Sequence, residues 1–261
     1  MTVGSASEAL VPALQLQGVG RRFGALQALR DVTMAVAPGE RRAILGPNGA
    51  GKTTLFNVVA GDFPPTSGTI HLYGTEVTHL QPHLRTRLGL TRTYQNSQLF
   101  MGLTVADSLY LAGRGVRGGR FSMLRPRAAD PALVRGREIA ETVHLGEVYD
   151  RSVGSLSHGQ QRQLEVGMAL AGNPRLLMLD EPAAGLSRGE RTLLIDLLRS
   201  LPRDVTVILV EHDMDVALAA ADRVTVMQEG AIVVEGSPDE IQANTTVQDI
   251  YLGHHVGTHH G

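Results

Sequence analysis

Residues 46 to 53 read Gly46-Pro47-Asn48-Gly49-Ala50-Gly51-Lys52-Thr53, a complete G-x-x-x-x-G-K-[ST] pattern. Its glycines let backbone N–H groups turn inward with no Cβ in the way, so that the loop becomes a nest for phosphate oxygens. On that geometry Lys52 reaches the β and γ phosphates of a nucleoside triphosphate, the Thr53 hydroxyl ligates Mg²⁺, and Thr54 continues the helix start behind them. A second concentration of chemistry is Asp180-Glu181, two acids that close the apolar run Leu176-Leu177-Met178-Leu179. Asp180 is suited to hold Mg²⁺ through a water, and Glu181 to polarise an attacking water as a general base. Taken alone, such a pair equally fits a plain acidic turn at a strand end.

These groups work only if a strand and a helix hold them. Arg42-Ala43-Ile44-Leu45 predicts a buried strand, and Thr53 to Ala60 predicts a helix whose N-terminus adds partial positive charge at the phosphates. Further strands are expected over 14–19, 32–36 and 69–72, punctuated by Pro38-Gly39 and Pro64-Pro65 turns. From about residue 96 to 172 the strand signals vanish. There Thr104 caps an expected helix through Leu111, Asp130-Pro131 starts one through Val143, and His158 to Ala171 supports a third, together a helical insert. Beyond it, apolar strands over 176–179, 205–210 and 224–227 alternate with helical stretches over 188–200 and 214–221. That alternation predicts a largely parallel sheet with crossover helices. Residues 1–12 read as a flexible tail, 13–253 as one ATPase-sized domain and 254–261 as a His-rich tail.

Between the loop and the acids lies Leu156-Ser157-His158-Gly159-Gln160-Gln161. This run resembles the Leu-Ser-Gly-Gly-Gln signature of the ATP-binding-cassette (ABC) ATPases, with His158 in place of the first glycine. The family's other motifs follow in order. Gln95 in Thr93-Tyr94-Gln95-Asn96 matches the glutamine that senses Mg²⁺ and the reacting water, and His212 in Val210-Glu211-His212-Asp213 matches the switch histidine. Phe23 in Arg22-Phe23-Gly24 matches the aromatic that stacks on adenine, although by itself it fits a core side chain better. Ser187 stands where the family has Asp, a departure that bears on cross-talk between paired sites. The resemblance implies an α/β fold: a P-loop NTPase core with a mixed sheet, an antiparallel β region and a helical insert subdomain. It implies ATP and Mg²⁺ as cofactors, the ion held by Thr53, Gln95 and Asp180, and catalysis by Glu181, His212, Gln95 and Lys52. It also implies a sandwich in which Ser157, Gly159 and Gln160 of one protomer face the phosphate loop of a second chain, the same or a paralogous one.

Within the family, Thr91-Arg92-Thr93-Tyr94-Gln95, Glu181-Pro182-Ala183-Ala184-Gly185-Leu186 and Tyr251-Leu252-Gly253 are similar to the ATPases of branched-chain amino acid importers. A lipopolysaccharide-exporting ATPase is the alternative resemblance. Membrane permease subunits and, indirectly, an extracytoplasmic solute-binding protein are the implied partners, with the chain peripheral at the cytoplasmic face of the inner membrane. A docking groove is expected beside Gln95 from Leu99, Phe100, Met101 and Leu103, four residues that fit the interior of the insert equally well. A soluble DNA or ribosome ATPase of the same superfamily and a small-molecule kinase are the other classes. The first lacks its long coiled coil or second cassette here, and the second leaves the ordered motifs unexplained.

Composition sets the remaining bounds. With 261 residues, 43% hydrophobic and 19% charged, the chain can bury a full core, and its net charge of −2 gives no general attraction to nucleic acid. The Arg/Gly-rich stretch 113–127 carries no stacking aromatic besides Phe121 and reads as a solvated loop. No cysteine is present, which excludes disulfides and cysteine-based metal or redox chemistry. No apolar run approaches a membrane span, and no basic segment followed by an apolar one suggests a secretory signal. His254, His255, His259 and His260 cluster near the end without a carboxylate or fixed second shell, so no physiological metal site is expected of them.

Overall fold

The structure is a computed structural model that describes residues 11–93, 99–115 and 130–252. Gln95, most of the Arg/Gly-rich stretch and the histidine cluster lie outside the described residues. The chain begins with β1 (Leu14–Phe23), β2 (Leu26–Val36) and β3 (Arg41–Leu45), then α1 (Lys52–Ala60), β4 (Ser67–Leu72), β5 (Thr75–Glu76), α2 (Pro82–Arg87) and β6 (Leu90–Arg92). Three helices follow: α3 (Val105–Gly115), α4 (Pro131–Thr142) and α5 (His158–Ala171). The last part runs β7 (Leu176–Asp180), α6 (Arg188–Ser200), β8 (Thr206–Val210), α7 (Met214–Ala220), β9 (Arg223–Gln228), β10 (Ala231–Gly236), α8 (Pro238–Ala243) and α9 (Thr245–Leu252).

The strands form two sheets. An antiparallel sheet has the order β2-β1-β4-β5, and a six-stranded sheet has the order β10-β9-β3-β8-β7-β6, parallel from β9 to β6 with β10 antiparallel at one edge. All residues of β3, β7 and β8 are buried, as expected of parallel strands covered on both faces. Side-chain alternation divides β7 between two cores. Leu176 and Met178 join Leu14, Leu16, Phe56 and Ile70 beneath the antiparallel sheet, while Leu177 and Leu179 join Leu109, Leu164, Leu197 and Ala217 on the helical side. The carboxyl ends of β3, β7 and β8 thus share one edge, where an open α/β sheet binds its ligand.

Several elements differ from the sequence expectation. β1 continues to Phe23 through Gly18 and Gly20, because those glycines sit at register shifts of the ladder instead of ending the strand. β6 has three residues, too few for periodicity to register, and two of its members are Thr91 and Arg92. β10 is largely half-exposed, so its pattern shows no continuous apolar run. Arg85 on α2 is fully buried and donates to the carbonyls of Val58, Val59, Thr78 and Leu80, satisfying oxygens at the end of α1. Burial pulls its guanidinium down to about 10, with Asp62 opposing.

Candidate nucleotide site

The loop between β3 and α1 is shaped by its glycines. Gly51 takes the N-cap position of α1 at φ 98°, and a Cβ there would stand 2.7 Å from the Ala28 carbonyl oxygen. A Cβ on Gly46 would overlap the carbonyl of Met227. No side chain caps α1, so the N–H groups of its first turn face the cavity in front of them. That cavity measures about 460 Å³, and Asn48, Gly49, Ala50, Gly51, Lys52, Thr53, Thr54 and Glu181 line it on one side. The rest of its lining is Leu26, Gln27, Ala28, Arg30, Glu229 and Gly230, and the Gly230 N–H donates to the Ala50 carbonyl of the loop itself. No sequence signal marked these residues, which come from the start of β2 and from the β9–β10 turn, far apart in the chain.

Lys52 is buried and donates to the carbonyls of Gly46 (2.6 Å) and Pro47 (3.0 Å). Burial holds its ammonium below the ordinary lysine value, opposed by the charges of Glu181 and Asp180. Asp180 ends β7 and pairs with Arg92 of β6 at 2.8 Å, both side chains being buried. Arg92 also donates to Asn57 of α1 (2.6 Å) and to Asp62 (2.9 Å), which ties the strand leading to Gln95 to the phosphate-loop helix. Sequence reasoning missed Arg92, because its partners are distant along the chain. Glu181 stands in the left-handed region at φ 46°, and His212 Nδ1 lies 3.8 Å from its Oε2.

Phe23 does not line the cavity. It sits 5.3 Å, edge-on, from Phe63 with Arg21 over its ring, and remains 42% exposed, while Leu26 across the hairpin occupies the wall instead. Ser157, Gly159 and Gln160 do not line it either. They form a separate shallow cleft with Glu190 and Leu193. Ser157 caps α5: its hydroxyl accepts the Gln160 N–H (3.2 Å), and Gln160 Oε1 accepts the Ser157 N–H (3.0 Å). The Gly159 N–H donates to Glu190 Oε1 (2.8 Å), and Glu190 Oε2 accepts from the backbone and hydroxyl of Ser187. Those hydrogen bonds, led by the Ser187 hydroxyl, hold the Glu190 carboxyl below its usual range. Ser187 is therefore the N-cap of α6, a duty that Asp would also perform.

The residues expected of the docking groove divide between its two readings. Leu99 packs against the helical-side core, while Phe100, Met101, Gly102, Leu103 and Leu111 line an open hollow of about 550 Å³. Leu111 joins them because helical periodicity carries α3 over the same side.

Comparison with known proteins matches this arrangement. Residues 29–184 match the family model described as ABC transporter, and residues 231–257 match one described as branched-chain amino acid ATP-binding cassette transporter. The chain is 39% identical over 252 residues to the high-affinity branched-chain amino acid transport ATP-binding protein BraF of Pseudomonas aeruginosa, covering 93% of this chain and 98% of that one. LivG of Escherichia coli K12, described in the same terms, is 37% identical with the same coverage. Among solved structures, the ADP conformation of MJ1267, an ATP-binding cassette of an ABC transporter, superposes with a TM-score of 0.83 at 30% identity, over 93% of this chain and 99% of that one. The match of residues 29–184 to the family model, together with the likeness to BraF over nearly the whole of both chains, places the chain in the ABC transporter family, as an ATP-hydrolysing subunit.

Proposed function

We propose that this chain powers the uptake of branched-chain or other hydrophobic amino acids, working as one half of an ATP-driven pair beneath permease subunits. The catalytic part rests on one observation: Glu181 lines the same cavity as the phosphate loop. The importer reading is supported by the near end-to-end likeness to BraF and LivG. Among the described residues no helix is long and apolar enough to cross a membrane, which fits a chain that docks onto a bilayer's proteins. The open hollow around Phe100 is the candidate docking surface.

In this mechanism the phosphates of ATP lie across the first turn of α1, and Lys52 exchanges its two loop carbonyls for phosphate oxygens. Glu181 accepts a proton from the attacking water, while His212, 3.8 Å from its carboxylate, orients that water and the γ-phosphate. The oxygen donors Thr53 and Asp180, with Gln95, suit Mg²⁺. Asp180 is a buried carboxylate that already pairs with Arg92 through Oδ2, so a bound ion would share this carboxylate with the guanidinium. The ion, when bound with ATP, would neutralise phosphate charge. Ser157, Gly159 and Gln160 lie outside the cavity of their own chain, which supports their acting on the nucleotide of a second protomer. There the Gly159 N–H would leave Glu190 for a γ-phosphate oxygen.

Replacing Glu181 by Gln tests this reading. The variant keeps ATP affinity, loses turnover by about 10²-fold or more, and accumulates an ATP-bound dimer on size-exclusion chromatography. Phosphate release at the wild-type rate under saturating ATP and Mg²⁺ refutes the role of Glu181.

A further inference from the structure

One carboxyl near the site has no part in the reaction just described. Glu211, between the end of β8 and His212, is fully buried. Its Oε1 accepts the backbone N–H of Ala183 at 2.9 Å, while Oε2 is buried without a hydrogen-bond partner. Ala183 belongs to the turn that carries Glu181. That turn needs holding, because Glu181 is a β-carbon-bearing residue in the left-handed region. The Glu181 N–H donates to the carbonyl of Val210 (3.0 Å), and the Glu181 carbonyl accepts the Ala184 N–H (3.1 Å). Three successive residues at the end of β8 thus address one turn: Val210 by its carbonyl, Glu211 by its carboxyl and His212 by its ring. The N–H of Glu211 itself donates to Ile44 of β3, the strand that enters the phosphate loop, at 3.1 Å.

We propose that Glu211 is a positioning residue for hydrolysis, whose side-chain oxygen on the Ala183 N–H fixes the Glu181 carboxylate relative to the phosphate loop and to His212. This rests on Glu181 being the general base. The burial of a carboxyl at this position supports it. An apolar side chain would fill the same volume without the desolvation that Glu211 bears, but would leave the Ala183 N–H unpaired. The charged neighbours, Glu181 and Asp213, are acids, so among the described residues no cation repays that burial; Asp213 is itself paired with Arg191. What the position requires is an acceptor oxygen, not a charge.

Two substitutions separate this role from a merely structural one, with Glu181→Gln as reference in the same assay. Glu211→Gln keeps an acceptor for Ala183, so turnover stays within about threefold of wild type. Glu211→Leu removes it, and kcat falls by about 10²-fold, the scale for a catalytic group misplaced by roughly 1 Å. ATP affinity of the isolated protomer, measured by calorimetry, is unchanged in both. Wild-type turnover in Glu211→Leu overturns the proposal, as does an equal loss in both variants or a loss that tracks ATP affinity. Should Glu211→Leu fail to fold, Glu211→Asp, which withdraws the oxygen by one methylene, carries the same expectation. If Glu181→Gln hydrolyses ATP like wild type, the assignment of the general base fails, whatever the Glu211 variants do.

Discussion

The burial of Glu211 has a consequence for stability that depends on pH. Burial, with the nearby charges of Glu181 and Asp213, pushes its carboxyl up to about 7 from an ordinary 4.5, against the help of the Ala183 N–H group. Between those two pH values the folded protein keeps a proton that the unfolded chain has released. Stability therefore falls as pH rises through this window, and the penalty is complete above about pH 7. At 1.36 kcal/mol for each pH unit separating the two states, it amounts to about 3 kcal/mol. Glu211→Gln removes the titrating group. The variant should match wild type near pH 5, apart from a constant offset, and gain about 3 kcal/mol on it at pH 8. For a chain of this size that corresponds to roughly 6 °C or more in Tm. Urea unfolding of both proteins at the two pH values isolates the effect, because contributions of all other groups cancel in the difference of differences. An offset that is the same at both pH values, or a variant losing ground at pH 8, refutes the assignment of a buried, uncompensated carboxyl.

Arg85→Met should destabilise the fold by about 3 kcal/mol or more in urea, since it strips partners from four backbone carbonyls, three of them in buried hydrogen bonds. Arg85→Lys should recover only part, a point charge being unable to reach all four oxygens; wild-type stability in Arg85→Met contradicts this. Phe100→Asp, at a residue 68% exposed in the open hollow, should leave basal hydrolysis within about threefold of normal. Co-purification with the permeases should be lost, as removal of an interface anchor worth about 2 kcal/mol or more predicts. Retained co-purification moves the docking surface elsewhere.

What the sequence revealed follows from how local each feature is. The phosphate loop is contiguous and its geometry is dictated by its own glycines, so residues 46–54 could be read directly. Asp180 and Glu181 were legible because an apolar strand ends on them. The rest of the cavity lining was not, because Leu26, Arg30 and Gly230 reach the loop from the start of β2 and the β9–β10 turn, distant segments that only the tertiary fold brings together. The same holds for Arg92 against Asp180 and for Glu190 against Gly159, whose partners are 88 and 31 positions away. Phe23 and Leu99 illustrate the converse. The sequence left each of them open between a surface role and packing; Phe23 lies against Phe63 and Leu99 against the helical-side core, contacts set by the tertiary fold.

In the proposed mechanism the phosphate loop of one protomer and the signature of another make each catalytic site. Complementation tests it most directly. Lys52→Ala removes the loop's cation and abolishes ATP binding and turnover. Ser157→Arg blocks the signature, which lies outside its own chain's cavity, and abolishes turnover while leaving ATP affinity of the isolated protomer intact. Mixed, the two inactive proteins form a dimer in which one site combines an intact loop with an intact signature, and steady-state phosphate release should reappear at a fraction of the wild-type rate. No recovery in a mixture shown to contain the heterodimer, together with lost ATP affinity in the Ser157→Arg protomer, would contradict the sandwich and place the signature in its own chain's site.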